Sequence, residues 1–109
     1  MDTGETKSVT LYSIREENGD SYSMTATYTG TELIMFSHDF SQFHKAFFGD
    51  DEYEGYRIFD SENVDKLCAL FDTTDILSAL TEYFKGEMKD TEFFDLCKEN
   101  SISFKYHVR

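Results

Sequence analysis

Residues 7–37 constrain the fold most, because three stretches of strand character are separated there by two turn signals. SYSMTATYT (21–29) alternates Tyr22, Met24, Ala26 and Tyr28 with Ser and Thr, the period of a strand with one buried face. Before it, KSVTLYSIRE (7–16) is rich in β-branched and aromatic residues, and ENGD (17–20) supplies Asn18-Gly19, a strong short-range hairpin signal. Thr29-Gly30 marks a second turn, after which TELIMFS (31–37) reads as a third strand. The three are expected to form an antiparallel meander.

The rest of the chain changes period. DFSQFHKAFF (39–48) places Phe40, Phe43 and Phe47 at helical spacing, and EYEGYRIFD (52–60) returns to strand character. DSENVDKLCALF (60–71) opens on a capping residue, Asp60 or Ser61, and puts Val64, Leu67, Cys68 and Phe71 on one stripe. DTTDILSALTEYFKG (72–86) repeats the device with a Thr cap, the stripe Ile76, Leu77, Leu80 and Phe84, and Gly86 past the end. Asp90 or Thr91 is expected to cap a third helix holding Phe93, Phe94, Leu96 and Cys97, and ISFKYHV (102–108) alternates as a closing strand burying Ile102, Phe104, Tyr106 and Val108. The order βββ(α)β-ααα-β predicts an α+β fold: an antiparallel sheet of about five strands with helices packed on one face.

A chain of 109 residues reads as a single α+β domain over 1–109, with 1–6 flexible. Its 39% hydrophobic content includes eleven Phe and seven Tyr, enough apolar area to offset the entropy of ordering one core. Apolar runs are too short to span a bilayer, the N-terminus has no apolar signal region, and two cysteines make no disulfide framework. A cytoplasmic protein is the expectation.

Net charge is −12, spread as −4 over 1–49, −5 over 50–71, −5 over 72–99 and +2 over 100–109. A field of that sign repels nucleic acid and anionic membrane and draws in basic partners. No glycine-rich phosphate loop, nucleophile elbow or basic–aromatic patch occurs in the chain. Neither a nucleic-acid ligand nor a membrane is therefore expected, and no cofactor.

The densest chemistry lies in FFGDDEYEGYRIFD (47–60), where Asp50, Asp51, Glu52 and Glu54 surround Tyr53. These carboxylates are too crowded for the regular offsets of a calcium loop, and no His or Cys spacing supports a transition metal. Cys68 and Cys97 sit beside leucines as buried hydrophobes do. Carboxylates next to tyrosines do suit a basic protein partner, since Tyr offers apolar area with a polar tip and carboxylates pair with Arg and Lys. The expected binding residues are Asp50, Asp51, Glu52, Tyr53, Glu54 and Tyr56, with Tyr83 as a further anchor.

A strand ending near His38-Asp39, the FFGDDEYE segment, another short strand and a helix with Asn63, Leu67 and Leu70 follow in order over 31–71. This pattern resembles small acidic bacterial immunity proteins of polymorphic or contact-dependent toxin systems. The resemblance implies a non-enzymatic inhibitor that occludes a cognate toxin, often a basic nuclease, through an acidic and aromatic surface. Two other readings share parts of the pattern: a phage-type nucleic-acid mimic that blocks a restriction or CRISPR nuclease, and a small metal-dependent enzyme.

Overall fold

The computed structural model of the protein describes residues 6–40 and 52–108, apart from the side chains of Glu52 and Tyr53. Five strands form one antiparallel sheet in sequential order: β1 (Lys7–Arg15), β2 (Ser21–Tyr28), β3 (Leu33–Phe40), β4 (Glu52–Phe59) and β5 (Lys105–Val108). Three helices stand between the last two strands: α1 (Ser61–Leu70), α2 (Ile76–Phe84) and α3 (Asp90–Glu99). The expected α+β architecture is the observed one. β3 runs on to Phe40, so Asp39 and Phe40 are strand and not helix; the rest of the helix expected over 39–48 lies outside the described residues, as do Asp50 and Asp51.

Both expected hairpins form, each with its own turn chemistry. At the first, Gly19 N donates to Glu16 O at 3.0 Å, Glu16 N donates to Asp20 O at 2.8 Å, and Asn18 Oδ1 accepts from Asp20 N at 3.0 Å. Gly19 has φ 95°, so the loop is a turn closed by a left-handed glycine and not the two-residue form. At the second, Thr29 N donates to Glu32 O at 2.9 Å and Gly30 takes φ 101°. That is a two-residue loop with its positive φ at the first central position.

The sheet buries one face beneath the helices. Met24 and Ala26 of β2, Leu33 and Met35 of β3, and Phe59 of β4 are fully enclosed with Leu67, Leu80, Phe84, Phe93 and Cys97. Strand alternation breaks once: the β1–β2 register shifts between Thr10 and Tyr12, and the neighbours Leu11 and Tyr12 are both buried. A bulge turns two successive side chains to the same side, which strict alternation forbids.

Two helix starts and the closing strand depart from the sequence reading. Asp75, not a threonine, caps α2, its carboxylate accepting from Ser78 N at 3.2 Å and Ser78 Oγ at 2.8 Å. Thr73 instead accepts from Asp75 N at 2.9 Å and shapes the turn before it. Asp90 is the first residue of α3, which has no side-chain cap, because its carboxylate is committed to the sheet. The closing strand is also shorter than 102–108: Ile102 is buried and Phe104 half-buried, but β5 pairs only along Lys105–Val108, leaving Tyr106 43% and Val108 56% exposed. An edge strand beyond the reach of the helices gains little burial from alternation. Among the described residues no helix is long and apolar enough to cross a membrane.

Candidate functional site

The two central ladders fix what each face of β3 and β4 presents. Leu33 pairs with Phe59, Met35 with Arg57 and Ser37 with Gly55 on the helix-covered side. Between them Ile34 pairs with Ile58, Phe36 with Tyr56 and His38 with Glu54 on the opposite side, and the ladder ends at the Phe40–Glu52 register. Phe36 and Tyr56 are in ring contact, centroids 4.8 Å apart, and His38 stacks at 6.2 Å from Phe36. Ile34, Phe36, Tyr56 and Ile58 are each half-buried and take no part in the main core. Thr25 and Thr27 of β2 flank this patch opposite Phe36 and Ile34, while His107 and Lys105 of β5 stand opposite Tyr56 and Ile58.

The six residues expected to meet a partner therefore divide. Glu54 and Tyr56 occupy even positions of β4, on the face away from the core, whereas the backbone of Glu52 pairs with Phe40 and that of Tyr53 with Asp39. Asp50 and Asp51 lie outside the described residues. Tyr83 is not part of the patch. It packs edge-on against Phe71, Phe84 and Phe93 at 5.5–5.7 Å, with the Lys89 ammonium 5.6 Å from its ring.

Sequence reasoning missed Ile34, Phe36 and Ile58, although the signal was present. LIMF (33–36) is apolar at four successive positions, and a strand apolar at both parities has both faces in apolar surroundings.

Two polar groups are held on the core side. The Arg57 guanidinium lies 4.2 Å from the Phe94 ring centre and 4.6 Å from that of Tyr106, and it donates to Ser37 Oγ at 3.5 Å. Its stem covers the sheet beside Met35 while its head is held by rings, which the weakly hydrated guanidinium tolerates. The Tyr12 hydroxyl donates to Asp90 Oδ2 at 2.9 Å. Burial first, and then that carboxylate, keep the Tyr12 hydroxyl protonated well above the ordinary tyrosine range.

Nucleophile chemistry has little support in the thiols. Burial pushes the Cys97 thiol up to about 12, and Cys68 is raised by burial and by Asp65 and Asp75, the reverse of what a reactive thiolate needs. Among the described residues no group of three His, Cys, Asp or Glu side chains is placed to hold a metal ion.

Searches against protein-family models, curated proteins and solved structures find no match to this chain.

Acidity runs through both the sheet-bearing residues 1–59 and the helical layer, each at a net −7. Residues 60–99, the helical layer, hold eleven Asp and Glu against four Lys, a net −7. The molecule thus combines an acidic helical side with an aromatic and aliphatic sheet face.

Proposed function

We propose that the protein is an immunity-type inhibitor. In this reading it binds a basic protein partner, such as a nuclease toxin, and neutralises it by occlusion through the β3–β4 face. The observation that carries the reading is the Phe36–Tyr56 ladder, half-buried on the sheet face away from the described helices and bordered by Glu54 of the same strand. Rigid aromatic side chains on strands lose little entropy on binding and make good anchors, while surrounding carboxylates favour Arg and Lys. The net charge of −12 accelerates encounter with a basic surface and slows encounter with nucleic acid. No catalysis is needed for this mechanism, and a bacterial cytoplasm is where it would operate.

The test is protection. The reading expects a toxin gene beside the one for this chain, and co-expression with that toxin should restore growth and yield a stoichiometric complex. Growth arrest despite accumulation of both proteins would refute the assignment.

The acidic helical layer favours a second reading, a nucleic-acid mimic whose carboxylates stand in for phosphates. Inhibition of several unrelated nucleases in competition with DNA would support mimicry, and dependence on one toxin would support the first reading.

A further inference from the structure

Away from the β3–β4 patch, an open groove of about 1410 Å³ is bounded by the start of β1, by residues 28–31 at the β2–β3 turn and by α2 with the turn before it. Val9, Ile76 and Leu77 contribute apolar side chains to it, and Lys7, Asp75 and Glu82 contribute charge. The volume exceeds the 300–1,000 Å³ or so that suits a compact small molecule. Three features favour an extended peptide instead.

The first is the open edge. β1 is the first strand of the sheet, and among the described residues it pairs with β2 alone. Its regular register runs from Lys7 to Thr10, where the bulge interrupts it. An added strand can thus use about four residues of ladder, about 13 Å, before β1 changes direction.

The second is the flanking helix wall. Ser78, Thr81 and Glu82 line the groove from one side of α2, the i, i+3, i+4 spacing of one helix stripe. Alternate side chains of a strand laid beside β1 would therefore meet α2.

The third is charge. Asp75 and Glu82 outnumber Lys7, within a chain of net charge −12. The Asp75 carboxylate is held below the ordinary range by its bonds to Ser78, so it stays ionised. An acidic groove within an acidic field favours cationic side chains.

From these features we infer that the β1 edge and the α2 flank form a docking groove for an extended, alternating basic–apolar segment of a protein partner, added as a sixth strand beside Lys7–Thr10. Backbone hydrogen bonds to the edge supply affinity, and the groove selects the side chains. The inference does not depend on the β3–β4 reading, since it concerns the β1 edge and not the β3–β4 face; either can fail alone.

The probe is a capped hexapeptide, Lys-Val-Lys-Val-Lys-Val, titrated into the full chain and followed by amide NMR and hydrogen exchange. Saturable shifts are expected at Lys7–Thr10 and Ser78–Glu82, with slowed exchange in β1. N-methylation of the peptide's valine amides should weaken binding about tenfold or more. Glu82→Lys, an exposed change, should weaken it about threefold or more, and a Glu-Val peptide should not bind.

Absence of saturable shifts at millimolar peptide would overturn the inference. So would shifts spread over the exposed helix acids that are insensitive to N-methylation, which mark unspecific ion pairing. Shifts at Lys7–Thr10 on concentrating the protein without peptide would assign the edge to a second copy instead, and overturn it too.

Discussion

Replacing Tyr12 with Phe isolates one hydrogen bond that ties the sheet to α3. Tyr12 is 3% exposed and packs at 6.2 Å from Phe84, so Phe keeps the ring and its burial. What disappears is the donor to Asp90 Oδ2 at 2.9 Å. A hydrogen bond to a charged acceptor contributes about 1.5–3 kcal/mol. The other oxygen, Oδ1, is buried with no hydrogen-bond partner among the described residues, so the carboxylate has little to fall back on. A loss of about 2 kcal/mol follows, and for a chain of 109 residues this lowers the melting temperature by about 9 °C at ~2.1 cal/mol/K per residue.

Urea and thermal unfolding followed by far-ultraviolet dichroism measure the change. The variant should also respond differently to alkali. The folded Tyr12 hydroxyl is raised above its unfolded value of about 10, so between that pH and its folded value only the unfolded state releases this proton. Stability from Tyr12 is complete below pH ~10 and declines above it by about 1.4 kcal/mol per pH unit, a component Tyr12→Phe removes. A change under about 0.5 kcal/mol, the size of an ordinary neutral surface substitution, together with an unaltered alkaline slope, would refute the reasoning.

Three further outcomes are expected. Arg57→Ala removes the guanidinium from between Phe94 and Tyr106 and should cost about 1–2 kcal/mol by denaturant unfolding, with Arg57→Lys less harmful because it keeps the stem and charge. Ser101 follows α3 at φ 58°, a left-handed conformation that suits glycine, so Ser101→Gly should raise stability by about 0.5–1 kcal/mol in the same assay. Hydrogen bonds from Asn63 and Ser78 hold the Asp60 and Asp75 carboxyls below the ordinary range. The unfolded state therefore takes up their protons first as pH falls; stability is complete above about pH 4 and lost below it, and an acid titration of Asp75→Ala should show a shallower loss.

The sequence made the meander legible because local signals and tertiary demand agree there. Asn18-Gly19 and Thr29-Gly30 sit at real turns, and Met24 and Ala26 alternate into the core. The α2 stripe was equally clear, since Ile76, Leu77, Leu80 and Phe84 are all buried. What could not be read was set by long-range partners. Asp90 has the chemistry of a cap, but Tyr12, 78 positions away, recruits its carboxylate. Tyr106 and Val108 alternate as a buried strand would, yet none of the described helices covers them.

The candidate site was half legible for a similar reason. Local composition drew attention to the acids of 50–54, while the aromatic ladder needs Phe36 of β3 beside Tyr56 of β4. Strand parity separates Tyr53 from Tyr56, so adjacency in sequence overstated how many of those residues share a face.

The central claim is that the β3–β4 face binds a basic protein partner. Calorimetric titration and stopped-flow mixing of the toxin that this reading expects beside the chain's gene, with the native chain, Tyr56→Ala and Glu54→Lys, test it most directly. A stoichiometric complex is expected, weakened about 30-fold or more by loss of the Tyr56 anchor at ~2 kcal/mol or above, with Glu54→Lys acting mainly by slowing association in a less salt-dependent way. A complex whose affinity and association rate are unchanged by both substitutions would contradict it.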